Sequence, residues 1–313
     1  MISSFAARTR SPRAVVALLA VTIIWGWSFI WIKSSLTVAA NTLGHPGGAS
    51  VVSLYVAVRF GIAAVVLAAW PRARVGLDRG AWRGGAILGG LLFAGFLLQM
   101  IGLESVSAPV SAFLTSLYVV FSAILTAWLH RARPHFPFLA GVLLATFGAG
   151  FIEGPPHLTF GLGEWLTVGS AFVFALHILA TDRMTKAHAS LPVTLTMFVV
   201  TAGAALGVLA VCSARAAAPT AAELLTLLRT EGFIVPLLLS TFLGTVIALT
   251  LINVFQKEMD PVRAAILYAL EPIWTTVIAA ALGFGLPGFW LWIGGGALLA
   301  GNVIAELGVE PEV

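Results

Sequence analysis

Charge is what this sequence has least of. Only 10% of its 313 residues are Asp, Glu, Lys or Arg, whereas a soluble domain carries about a quarter. That is too little for a wet surface. It excludes a soluble enzyme held by a single anchor, because no stretch is both long enough and polar enough to be that domain. Cysteine is nearly absent as well. The single thiol, Cys212, excludes an intramolecular disulfide and a cysteine-based metal cluster; in its apolar run it reads as a small packing residue. Aspartate occurs only at Asp78, Asp182 and Asp260, far apart in sequence and unsuited to sharing a metal. The HExxH, GxSxG and P-loop patterns are missing, so no cofactor is expected.

What is present is apolar sequence: 59% of the residues are hydrophobic and the mean hydropathy is +1.01. A bilayer core takes about 20 apolar residues per helix, so ten spans take about 200. The pattern predicts ten helices, at 14–33, 51–70, 84–103, 109–129, 136–153, 164–182, 193–213, 233–254, 262–282 and 287–306. The expected fold class is therefore an all-α integral membrane protein. Arg8, Arg10 and Arg13 before an apolar run imitate a signal peptide, with Val38-Ala39-Ala40 as cleavage site. The run is long enough to span and that site follows Lys33, so the segment reads as a first span. The longest connections are expected at 34–50 and 214–232. The second holds Thr220-Ala-Ala-Glu223, a capping-box pattern that predicts a short helix on the membrane surface.

Lysine and arginine orient the chain. With the N-terminus inside, 13 of them fall on the inner side and only Lys33, Arg215 and Arg229 on the outer; Arg59 lies within the second span. Both termini are expected in the cytoplasm, and the net charge of +4 reflects topology, with no nucleic acid implied. An offset of 153 residues places Pro134 on Pro287, Phe136 on Phe289, Gly141 on Gly294, Gly148 on Gly301 and Glu153 on Glu306. Five helices per repeat is an odd number, so the second repeat enters the membrane inverted, an architecture that puts substrate near the midplane.

Several polar residues sit at span depth. Arg59 is eight residues into its span, about 12 Å deep at 1.5 Å per residue, where an arginine costs at least about 2.5–3.5 kcal/mol unless paired, wet or snorkelling. Glu271, beside Pro272, is its counterpart in the ninth span, and the proline makes a helix break there. Trp27 and Trp31 share one face of the first span and Trp25 points away; Trp27, the deeper of the pair, is the candidate cavity residue. Tyr118, Phe121, Tyr268 and Trp274 complete a candidate aromatic chamber suited to flat or cationic solutes. Gln99, His177 and Asn253 are further candidates, and like Ser116 and Asn302 they also fit plain cross-helix bonding. His130 and His135, flanking Arg131 and Arg133, read as a solvated loop. The pairs Gly85–Gly89 and Gly203–Gly207 mark expected close helix packing.

Trp25-Gly26-x-Ser28-Phe29 with Lys33, Arg59, Ser107-Ala108-Pro109 and Leu270-Glu271-Pro272 together resemble the EamA branch of the drug/metabolite transporter superfamily. Gly163-Glu164 and the glycine-rich tenth span fit as well. The resemblance implies two inverted five-helix EamA repeats, at 14–153 and 164–306, between cytoplasmic tails 1–13 and 307–313. It implies export of amino acids or related small metabolites. One position departs: Val119 stands where the family's fourth span carries a proline, so the two repeats are expected to bring different chemistry.

The expected protein is an inner-membrane carrier working by alternating access, with aromatic or bulky apolar amino acids favoured. A zwitterion needs a cation for its carboxylate, from Arg59 or Lys33, and an acceptor for its amine, from Glu271. The expected partners are a small-molecule substrate and the lipid bilayer, with the chain a monomer or weak homodimer. Export of other metabolites or drugs by proton antiport is the alternative; a channel or a membrane enzyme is the rival from another class.

Overall fold

The computed structural model describes residues 12–129, 136–151, 160–215, 218–258, 264, 267–284 and 288–307. Arg8, Arg10, the loop from His130 to His135 with its Pro134, Glu153, Arg263 and Pro287 lie outside them. Among the described residues the secondary structure is helical, without strands. Seven helical segments are long and apolar enough to cross a bilayer, and shorter apolar helices accompany them. In order they are α1 (Pro12–Leu43), α2 (Gly48–Ala69), α3 (Pro71–Arg74), α4 (Arg79–Ser105), α5 (Ala108–Thr115), α6 (Tyr118–Leu129) and α7 (Phe136–Gly150). There follow α8 (Leu162–Ala187), α9 (Ser190–Ser213), α10 (Ala221–Arg229), α11 (Glu231–Leu239), α12 (Ala248–Phe255), α13 (Glu271–Ala281) and α14 (Phe289–Leu307). A π-helical turn, Ser240–Ile247, joins α11 to α12. Large apolar side chains such as Phe136, Trp128, Leu143 and Phe289 point outward and are mostly exposed, as the outer surface of a multi-pass membrane protein requires.

Three elements differ from the sequence expectation. The connection expected at 34–50 is mostly helix: α1 continues to Leu43 and stops only at Gly44, whose φ of +76° is the left-handed conformation that ends helices. Lys33 does not break it, because its ammonium finds partners on a neighbouring helix. The fourth span is not continuous. It breaks at Ser116–Leu117, where the Ser116 hydroxyl turns back to the Phe113 carbonyl at 2.7 Å. The Ser116 carbonyl is taken up by Asn302 Nδ2 of α14 at 3.1 Å. The eighth span contains the π turn, four residues after Pro236. Proline has no N–H for the helical ladder, which favours a change of register there.

The capping box of α10 is present in both directions: Glu223 accepts from the Thr220 backbone N–H at 2.7 Å, and Thr220 Oγ1 accepts from the Glu223 N–H at 3.3 Å. Leu224 and Leu227 are buried, and α10 packs on α11 and α1. Gly85 and Gly89 face α9, where an added Cβ would strike Thr196 and the Met197 carbonyl. Gly203 and Gly207 mark no close packing, for nothing lies within 4 Å of a Cβ built on either. Their side of α9 is left open.

The main packing pairs are α7 with α14, α4 with α8 and α9, α2 with α9, and α1 with α11 and α13. The α7–α14 contact is reciprocal under the 153-residue offset. A Cβ on Gly148 would strike Leu298 and the Gly294 carbonyl; one on Gly301 would strike Ala145 and the Gly141 carbonyl. The offset also carries Ser116–Leu117 onto the turn at Ala269–Leu270, the first residue of α6 onto that of α13, and the first of α7 onto that of α14.

Candidate functional site

Residues of α1, α2, α4, α5, α6, α8, α12 and α13 line a cavity with about 700 Å³ of empty space, open solvent at its mouth included. Six of the candidates read from sequence line it: Arg59, Gln99, Tyr118, His177, Tyr268 and Glu271. Each is buried, and together they come from five separate stretches of the chain, with Tyr268 and Glu271 three residues apart. The turns at Ser116–Leu117 and Ala269–Leu270 bring the starts of α6 and α13 to the cavity, so Tyr118 and Glu271 are the first residues of their helices. Pro272 sits in the first turn of α13, where it begins a helix instead of interrupting one.

Arg59 stands midway along α2 and is 1% exposed, so it does not snorkel. Its Nε donates to Thr245 Oγ1 on the π turn at 2.5 Å. Its guanidinium lies 4.7 Å from the ring centroid of Phe96 and 5.6 Å from that of Phe60, both attractive contacts for a cation. Among the described residues, Nη1 and Nη2 have no hydrogen-bond partner. Glu271 is 5% exposed, and among the described residues it forms no ion pair with Arg59. The Tyr118 hydroxyl and His177 Nε2 are likewise buried without partners among the described residues. Tyr268 donates to Gln256 Oε1 at 3.2 Å, and Gln99 Nε2 donates to Thr115 Oγ1 at 3.1 Å.

The other five candidates lie elsewhere. Trp27 stacks on Trp31, with centroids 5.9 Å apart, on the face of α1 turned from the cavity. Trp25 is the tryptophan that lines the cavity, its Nε1 donating to the Gly244 carbonyl at 3.1 Å and its ring 6.1 Å from Tyr268. The expected sharing of a face by Trp27 and Trp31 holds, but that face is the wrong one. Trp25, Ser28, Phe29 and Ile32 all line the cavity, with the spacing of one helix face. Lys33 is spent on α4, donating to the carbonyls of Leu103, Glu104 and Val106 at 2.7, 3.1 and 2.9 Å. A cation at a helix C-terminus is well placed for that. Phe121 packs edge-on against Phe172, and Asn253 Nδ2 donates to Thr194 Oγ1 at 2.8 Å. Trp274 Nε1 donates to Thr22 Oγ1 at 3.1 Å, where Gly26 lets α1 come close to α13. Sequence reasoning missed Phe96, Phe174, Thr245 and Gln256, because apolar and small polar residues at span depth are too common to stand out.

Among the described residues no group of three or more His, Cys, Asp or Glu is placed to hold a metal. The cavity can instead hold an organic solute: it has aromatic walls, a guanidinium whose Nη1 and Nη2 are unpartnered among the described residues, and a separate carboxylate.

Residues 12–153 match the EamA-like transporter family. An uncharacterized transporter of Archaeoglobus fulgidus is 25% identical over 270 residues, which are 86% of this chain and 78% of that protein. A protein crystal structure, 18% identical, matches over 91% of this chain and 96% of its own with a TM-score of 0.57, a likeness of fold alone. The family match over residues 12–153 and the likeness to a transporter over most of the chain support a membrane transporter of small molecules that carries an EamA-like domain at residues 12–153.

Proposed function

We propose that this transporter exports amino acids or related small metabolites, with aromatic or bulky apolar amino acids favoured, and that the central cavity is its substrate site. The observation that carries the reading is how the cavity is built at two helix breaks. Thr115 and Tyr268, and Tyr118 and Glu271, are pairs separated by 153 residues, and all four line it. Matched breaks at a central cavity are what alternating access between two inverted five-helix repeats, 14–153 and 164–306, calls for. The reciprocal glycine contacts of α7 and α14 support the same ten-helix arrangement. So does the pairing of α1 with α13 and of α6 with α8.

Trp25, Phe96, Phe174, Tyr118 and Tyr268 supply apolar and π surface for a bulky side chain. Glu271 is an acceptor for an ammonium group. With both termini cytoplasmic in the inner membrane, the direction of flow is outward down the solute gradient.

The test is counterflow in proteoliposomes. Vesicles preloaded with one unlabelled amino acid at a time receive a trace of labelled substrate outside. A transient overshoot limited to aromatic and large apolar amino acids is expected. Equilibration without overshoot would mark a channel, and an overshoot only with other metabolites would move the substrate class.

A further inference from the structure

We propose that Arg59 is the anion subsite of this cavity, presenting Nη1 and Nη2 to one substrate carboxylate, and that Thr245 on the π turn is its positioning residue. The inference rests on the reading of the cavity as the substrate site.

A guanidinium is planar, and a carboxylate can meet it side-on through Nε and one Nη, or end-on through both Nη groups. Here Nε is taken by Thr245, which leaves the end-on edge. Arg59 lines the cavity, and both nitrogens of that edge are buried without a hydrogen-bond partner among the described residues. The polarity of the Thr245 hydroxyl is settled by its own donor bond, to the Ser240 carbonyl at 3.2 Å. Its lone pairs therefore face Arg59. Thr245 is five residues from Ser240, so the bond belongs to the π register, and a regular α-helix would move this hydroxyl. Two further bonds hold the turn. Tyr55 and Ser240 hydroxyls meet at 2.6 Å, and Trp25 bonds the Gly244 carbonyl. Gly244 suits the close approach, since a Cβ there would come within 3.1 Å of Arg59 Nη2 and 3.2 Å of Ser28 Oγ. π turns inside α-helices are frequent at functional sites; this one aims a charge.

The ligand chemistry follows from what surrounds the guanidinium. Lys33 is engaged at the end of α4, and His177 is the other basic side chain on the wall. A phosphate dianion would have one arginine to neutralise it and would face Glu271 in the same cavity. A carboxylate with a single charge matches one guanidinium edge.

The experiment compares wild type, Thr245→Val and Thr245→Ser in proteoliposomes. Labelled phenylalanine or leucine, whichever gives the larger overshoot, is placed outside. Vesicles are preloaded with that amino acid or with its decarboxylated amine, phenethylamine or isopentylamine. We expect Thr245→Val to raise the KM at least tenfold with little change in maximal rate, Thr245→Ser to stay within about twofold of wild type, and the amines to drive no overshoot. An unchanged KM in Thr245→Val, or an amine as effective as its amino acid, overturns the inference while leaving the cavity as the transport site. Wild type silent to both amino acids overturns the substrate class proposed above and the inference together. Should Thr245→Val fail to fold, Thr245→Ala takes its place, and the amine comparison in wild type still tests the carboxylate.

Discussion

Two basic residues at span depth meet opposite fates. Lys33 is held by three carbonyls at the end of α4, and the same end is tied to α2 by the Gly48 N–H, which donates to Glu104 Oε1 at 2.8 Å. Lys33→Met should therefore act on stability and leave substrate range alone. Three hydrogen bonds from a charged donor are lost, a cost on the order of 1–3 kcal/mol for such a group, visible as a lower unfolding temperature in detergent with the order of substrates in counterflow unchanged. Among the described residues, Glu271 has no such bonds from its carboxylate. Glu271→Gln, close in shape, should keep the unfolding temperature within a degree or two and reduce amino-acid counterflow at least tenfold; equal counterflow would remove Glu271 from the site. Sequence alone does not separate the two basic residues. Both are cations in apolar helices, and which one has carbonyls within reach depends on where α4 ends in space.

At the scale of elements, the two broken helices show what a local signal can and cannot do. Pro272 announces the break before α13, but the break before α6 occurs with Val119 in the matching place. There the Ser116 hydroxyl donates to the Phe113 carbonyl, and Asn302, 186 residues away, donates to the Ser116 carbonyl. The cost of an interrupted helix is met by a partner that no local pattern names. The paired helices α7 and α14 are the converse, legible from matched glycines. Gly148→Ala and Gly301→Ala should each lower the unfolding temperature, by similar amounts, since each new methyl strikes backbone of the opposite helix. Gly203→Ala, facing open space, should be neutral or slightly stabilising through helix propensity.

In α10 the Thr220 backbone N–H and hydroxyl hold the Glu223 carboxyl below its ordinary value. A depressed folded-state value contributes stability that is present above the unfolded value and lost as pH falls through the folded one. Amide exchange in the first turn of α10 should therefore accelerate, relative to a Thr220→Ala variant, only as the medium is acidified into the carboxylate range. A parallel response in both proteins would show that the capping box does not hold this turn.

For the whole molecule, orientation is open to a direct check. In a Cys212→Ser background, Thr42→Cys at the exposed end of α1 should react with a membrane-impermeant maleimide added to intact cells. Arg74→Cys, exposed beyond α2, should react only after permeabilisation. The reverse pattern would invert the topology drawn from the lysines and arginines.

Composition, span lengths, charge bias and the 153-residue offset are properties of the chain itself, because a bilayer imposes length and polarity on each helix before any two helices meet. A membrane fold class and the Arg59, Tyr118 and Glu271 candidates could be named on that basis. Which side of α1 faces inward, and so Trp25 in place of Trp27, was decided only by packing, since a helix apolar all round carries no inward stripe. The π register at Ser240–Ile247 was decided there too: it exists through bonds from Trp25, Tyr55 and Arg59 on other helices, and such bonds appear only once the helices are assembled.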